Sequence, residues 1–279
     1  MLTTDGGPVA SGRGVLSSCA VCWKRREASK SRTVPGRARI AVPREPRAPV
    51  CMAPDNGCEG CKQWWMAIVS IAVEVMHMSD TSLQGKRVAI LVADGFEQVE
   101  MTEPRNALQA AGADTKLVSP AQGRVQGWKH FDKSDTFPVD VPLAQANSAD
   151  FDALVLPGGV ANPDQLRIMP KAVSFIREFF DAGKPVAAIC HGLWPLIDAG
   201  VVRGRTVTSW PSLKADLTNA QARWVDQEVV TDNGLVTSRK PDDIPAFNRK
   251  MIEEFAEGRH DQQRQHAAAR AGSRQAAGG

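Results

Sequence analysis

The sequence predicts a three-layer α/β sandwich built around a mostly parallel central sheet. Three observations lead there. Between residues 86 and 257, short apolar runs alternate with segments of about a dozen residues at helical spacing. The short runs are apolar at successive positions, as strands buried on both faces must be. The flanks also differ from the middle: of a formal charge of +3 for the whole chain, residues 1–77 carry +5 and residues 259–279 carry +3, which leaves −5 for 78–258. The basic balance belongs to the ends, so the domain is not expected to bind nucleic acid.

The elements follow in order. Arg87 to Ala93 is a first buried strand, and Asp94-Gly95-Phe96-Glu97 turns the chain into a helix that contains Pro104, runs to about Ala111 and stops at Gly112. Asp114 to Ser119 is a second strand, and Arg124 to Val141 alternates weakly around turn residues, as a hairpin excursion does. Asp152 to Leu156 is a third strand, stopped by Pro157-Gly158-Gly159. A helix from Lys171 to Ala182 ends at Gly183 and leads into the strand Val186 to Ile189, followed by Cys190-His191-Gly192. Leu193 to Ala199 reads as a helix closed by Gly200. Strands are expected at Arg205 to Ser209, Glu228 to Thr231 and Leu235 to Ser238, the last two joined by the hairpin dipeptide Asn233-Gly234. Asp243 to Ala256 closes the domain as a helix.

The domain is therefore drawn as residues 78–258. Residues 1–77 are rich in Arg, Ser, Pro and Gly over their first fifty positions and are expected to be a disordered or spurious extension. Five of the six cysteines lie there, as the pairs Cys19/Cys22 and Cys58/Cys61 with Cys51 between. Two such pairs can hold zinc, but the gap between them is long and no supporting strands are visible, so no metal is expected. The apolar stretch Trp64 to Val73 is too short to span a bilayer, and it lies too far from Met1 for a secretory signal. A cytoplasmic protein without membrane contact is expected. Residues 259–279 are expected to be a disordered tail.

The chemistry gathers at one edge. In parallel α/β sheets, ligands bind beyond the carboxyl ends of the strands. The turns there carry Glu97, Gly158-Gly159 and Cys190-His191. A thiol at a strand-to-helix turn meets the free N–H groups of the helix start, which favour a thiolate. Taken alone, Cys190 is as readily a buried structural cysteine, and Glu97 as readily a helix N-terminal acid facing the macrodipole. His130 sits in a polar loop, where a solvated role is expected. No Gly-x-Gly-x-x-Gly or P-loop pattern follows Gly158-Gly159, so neither a nucleotide nor any other cofactor is expected.

With these residues in view, the chain resembles the PfpI family of intracellular cysteine proteases, whose superfamily includes the parkinsonism-associated deglycase and the class I glutamine amidotransferases, with a flavodoxin-like fold. The resemblance rests on Ala93-Asp-Gly-Phe-Glu97, Leu154-Val-Leu-Pro-Gly-Gly159, Gly183-Lys-Pro-Val-Ala-Ala-Ile-Cys-His-Gly192, Arg203-Gly-Arg205 and Thr237-Ser-Arg-Lys-Pro-Asp242. It implies Cys190 as nucleophile and Glu97 as the acid bonded to its sulfur. It also implies His191 as a second catalytic residue, Asp164 as an acid that orients histidine across a subunit interface, and the N–H groups of Gly159 and His191 as oxyanion donors. A Cys190–His191 hydrogen bond within one chain is not expected, because neighbours at a sharp turn point apart. Leu193 stands where many relatives have proline, and Trp194 and Trp210 are candidates to line the pocket. The later histidines, His260 and His266, fall in the tail, so a glutaminase triad cannot be assembled. The resemblance implies a homo-oligomer and a cysteine-dependent stress-response hydrolase of the peptidase, deglycase or glyoxalase type, acting on small aldehydes or on peptide and protein substrates. The alternative is a redox-sensing or chaperone-like protein that uses an oxidisable Cys190.

Overall fold

In a computed structural model, which describes residues 82–265, strand β1 (Arg87–Leu91) sits near the middle of a seven-stranded sheet. After it come β2 (Phe96–Glu97), helix α1 (Gln98–Ala110), β3 (Asp114–Ser119), the hairpin β4 (Arg124–Lys129) and β5 (Asp132–Pro138), and β6 (Val141–Pro142). Next are β7 (Ala153–Leu156), α2 (Ala161–Arg167), α3 (Pro170–Asp181), β8 (Val186–Ile189) and α4 (Trp194–Asp198). The chain continues through β9 (Thr206–Val207), α5 (Lys214–Asn219), β10 (Arg223–Trp224), β11 (Val229–Asp232), β12 (Leu235–Ser238) and α6 (Ile244–Glu257). The expectations for residues 1–77 and for the end of the tail lie outside the described residues.

The sheet order is β11-β12-β8-β7-β1-β3-β6, parallel throughout except for β11 against β12. Every residue of β7, β8 and β12 is buried, because helices cover both faces. On one face Leu91, Leu154 and Ala188 pack with Phe175 and Phe179 of α3 and Leu196 of α4. On the other, Ile90, Val155 and Ile189 pack with Leu108 of α1 and Phe247 and Met251 of α6. Asn233 and Gly234 both take positive φ, 49° and 80°, as the β11–β12 hairpin requires.

The strand expected at Arg205 to Ser209 is β9, which pairs in parallel with β10 outside the main sheet; helix α5 and strand β10 were not foreseen. The domain also continues past 258. Residues 259–265 fold back, with 261–265 helical and Gln263 fully buried. Gln263 donates to the Lys184 carbonyl and accepts from the Arg205 guanidinium at 3.4 Å. The expected detached tail is corrected over this stretch, because a single amide side chain there satisfies two buried groups of the domain. Among the described residues, no helix is long and apolar enough to cross a membrane.

Candidate active site

Cys190 directly follows β8 with φ +61°, a left-handed conformation that costs a non-glycine residue about 1–3 kcal/mol. The surroundings enforce it. The turn 190–193 is a tight 3-10 segment before α4, so the predicted helix begins later than expected, at Trp194. Gly192 packs so closely that a Cβ would lie 2.3 Å from the Leu156 carbonyl oxygen. At Gly158 a Cβ would come within 2.6 Å of Glu100 Oε2, 2.8 Å of Cys190 Cβ and 2.9 Å of His191 N. These two glycines let the elbow and the β7 loop share one small volume. Buried Asn162 of α2 fixes that loop: its amide donates to the carbonyls of Pro157 and Gly158, and its oxygen accepts from Ala93 N at 2.7 Å.

The acid beside the sulfur is Glu100. It is fully buried in α1, accepts from Gly158 N at 2.9 Å through Oε2, and interacts with the Cys190 thiol. Its other oxygen, Oε1, is buried without a formed hydrogen bond. Burial pushes this carboxyl up to about 8, with the charge of Glu97 adding to the effect. At neutral pH it keeps its proton. Glu97 is corrected accordingly: it sits one helical turn earlier, its Oε2 accepts from His130 N at 2.9 Å, and it lines a cleft of about 370 Å³ with Lys129, His130 and Ser134 among the walls. Cys190 does not line that cleft. His130 itself is 75% exposed, in keeping with a solvated histidine.

Burial raises the Cys190 thiol as well, and a negative charge on Glu100 would raise it further. The backbone N–H groups of His191 and Gly159 oppose this by hydrogen-bonding the sulfur. With Glu100 protonated its repulsion vanishes, and the same carboxyl becomes a donor.

His191 does reach the sulfur, contrary to expectation: Nδ1 lies 3.3 Å from Sγ. The positive φ at Cys190 brings the two neighbouring side chains to one side of the turn. The imidazole is held edge-on to Trp194, with ring centres 5.1 Å apart, and stacked at 6.0 Å on Trp210. Its distal Nε2 lies 3.4 Å from Ser212 Oγ. Burial lowers its pKa, so the neutral imidazole faces the thiol at pH 7. Asp164 is exposed in the first turn of α2 and makes no hydrogen bond or ion pair through its side chain among the described residues. Nor does it cap α2, whose N-cap position is Val160.

The structure thus brings together Cys190, His191 and Gly159 of the predicted set and leaves Glu97 and Asp164 apart. It adds Glu100, Asn162 and Ser212. The one sequence signal for Glu100 is that it shares a helix face with Pro104 and Leu108, four and eight residues on. Ser212 and Asn162 had no such signal.

The chain is similar over this domain to known proteins. The DJ-1/PfpI family model matches residues 86–254. A deglycase of Pyrococcus abyssi is 46% identical over 166 residues, covering 60% of this chain and 97% of its own. Protein/nucleic acid deglycase 2 of Escherichia coli is 44% identical, over 60% of this chain and 96% of its own. General stress protein 18 of Bacillus subtilis is 43% identical, with the same coverage. The crystal structure of Drosophila melanogaster DJ-1beta superposes with a TM-score of 0.57 at 30% identity, covering 66% of this chain and 96% of that one.

Proposed function

Because the chain belongs to the DJ-1/PfpI family, we propose that it is a cysteine-dependent hydrolase or lyase of the stress response that acts on small dicarbonyls and on the aldehyde-derived adducts of glycated molecules. The observation that carries this is the pairing of Cys190 with a carboxyl that burial keeps protonated near neutral pH. Such a pair can move one proton between sulfur and oxygen without bulk water.

With a 2-oxoaldehyde, the sulfur–carbon bond forms as the aldehyde π bond opens, the S–H proton passes to the neutral His191 Nδ1 3.3 Å away, and Glu100 delivers its own proton to the new alkoxide and is left as a carboxylate. The Gly159 and His191 N–H groups, which bond the sulfur at rest, are the candidate donors to that oxygen. The Glu100 carboxylate then takes the C–H proton of the hemithioacetal and returns it to the adjacent, former ketone carbon, while the hemithioacetal hydroxyl proton passes to the former ketone oxygen; the His191 proton returns to Glu100 at the end of the cycle. Water cleaves the resulting thioester to give a hydroxy acid and restores the thiol.

Access favours this chemistry over peptide cleavage. Cys190 and His191 are only 7% and 8% exposed, an opening suited to a two- or three-carbon aldehyde or a protruding adduct. A leaving peptide amine would also need His191 oriented for proton delivery, and its distal nitrogen meets only a serine hydroxyl among the described residues. Asp164 is available to a second copy of the chain in a homo-oligomer. A redox-sensing role would use the same sulfur, but its burial and raised pKa give it less support.

The test is methylglyoxal consumption by wild type and Cys190→Ser. Complete loss in a variant with unchanged circular dichroism is expected; unchanged turnover would refute the proposal.

A further inference from the structure

At the amino edge of the sheet, opposite Cys190, three potential ligand atoms converge. Glu254 and Glu257 come from the last turn of α6, and His260 from the segment that folds back after Gly258. One carboxylate oxygen from each Glu and one imidazole nitrogen all lie within 4.8 Å of one another. Glu254 is 9% exposed. Its Oε2 and the Nε2 of His260 are 3.2 Å apart, yet both atoms are buried without a hydrogen bond. A plain ion pair would align the N–H on an oxygen lone pair. Two unbonded electron-pair donors at this spacing instead match neighbouring ligands of one small ion, since metal–ligand bonds of about 2.0–2.2 Å in tetrahedral array put ligands about 3.3 Å apart.

The supports are those of a held ligand set. Glu254 accepts the backbone N–H of Gly234, which orients its carboxylate. The imidazole lies on Gly234, where a Cβ would come within 2.6 Å of Cδ2. His260 N donates to the Gly183 carbonyl at 2.8 Å, which fixes the backbone that carries the ring.

We propose that Glu254, Glu257 and His260 form a divalent-metal site of the zinc class, which staples segment 259–265 onto the end of α6. One nitrogen and two carboxylate donors suit zinc better than calcium or magnesium, which prefer all-oxygen sets. Three protein ligands leave a fourth place for water. The β12 register separates this site from the thiol: β12 starts beside it at Leu235 and ends at Ser238, opposite Ile189. Its role is therefore structural and independent of the Cys190 chemistry.

The experiment uses the full chain, wild type against His260→Ala and Glu257→Gln. Glu257 is exposed, so its variant is expected to fold whatever happens to the first. Uptake of Co²⁺ and Zn²⁺ is followed by equilibrium dialysis. Cobalt at this site gives visible bands without the near-ultraviolet thiolate transition that the cysteines would add. Wild type is expected to bind about one equivalent more than either variant. Zinc should slow tryptic cleavage after Arg259 at least tenfold in wild type and in neither variant. Equal uptake in all three proteins, or cobalt spectra showing only thiolate ligation, would mean an ion pair only and overturn the proposal.

Discussion

Replacing Glu100 by glutamine separates stability from chemistry, and the two should move in opposite directions. Moving a carboxyl from its ordinary 4.5 to about 8 corresponds to about 5 kcal/mol, at about 1.4 kcal/mol per pH unit. Because the folded-state value is the higher one, the folded chain holds an extra proton between those two pH values. That part of its stability is complete below pH 4.5 and is lost as pH rises through the window to about 8. At pH 7 the charge-related loss is on the order of 3 kcal/mol. An amide can keep the Gly158 N–H bond through its oxygen and offer its NH₂ to the sulfur, but it never has to ionise. Glu100→Gln should therefore be more stable than wild type at pH 8, with the gap closing towards pH 5. Its methylglyoxal turnover should fall about 10²-fold or more, because an amide cannot give up and recover a proton. Urea unfolding at pH 5, 6, 7 and 8 and steady-state kinetics at pH 7 measure both. A variant less stable than wild type at pH 8, or a gap that does not change with pH, would refute the assignment of a protonated buried acid.

Other outcomes follow from the same geometry. Glu97→Gln should keep turnover within about threefold of wild type, since its carboxylate serves the His130 N–H and loses only part of one ordinary hydrogen bond; a loss as large as that of Glu100→Gln would restore it to the chemistry. Gly158→Ala should cost about 1–3 kcal/mol by overpacking and about 10²-fold in turnover, because the methyl group collides with Glu100, Cys190 and His191 together; denaturation midpoints and kinetics check this. Ser212→Ala should lower turnover about threefold to tenfold, the range of one net hydrogen bond, and displace the imidazole nitrogen resonances of His191, whose Nε2 it faces. Gln263→Ala should destabilise the domain by about 1–3 kcal/mol, because the Lys184 carbonyl loses its buried donor; a midpoint unchanged in urea would show that segment 259–265 does not dock.

Much of this molecule was legible because the signals are local. Four-residue apolar runs such as Val186 to Ile189, bounded by turn residues, have the length of strands buried on both sides, and glycines at 112, 183 and 200 end helices by taking positive φ. The thiol at the end of β8 and the glycine pair at the end of β7 fall at the same sheet edge as soon as the strands are parallel. By contrast, the choice between Glu97 and Glu100 turns on which face of α1 meets the sheet. The two acids lie three residues apart, and only packing puts one on a loop N–H and the other on the sulfur.

The sequence by itself determined the layered parallel fold and the placing of Cys190 at a strand-to-helix elbow, because periodicity and turn residues act over a few positions along the chain. The tertiary structure decided the partners. The protonated Glu100, the contact of His191 with the sulfur despite their adjacency, the Ser212 hydroxyl and the docking of Gln263 all depend on contacts across 21 to 79 residues or on one strained dihedral angle. Burial shifts a carboxyl by several kilocalories, and burial is a property of the packed molecule alone.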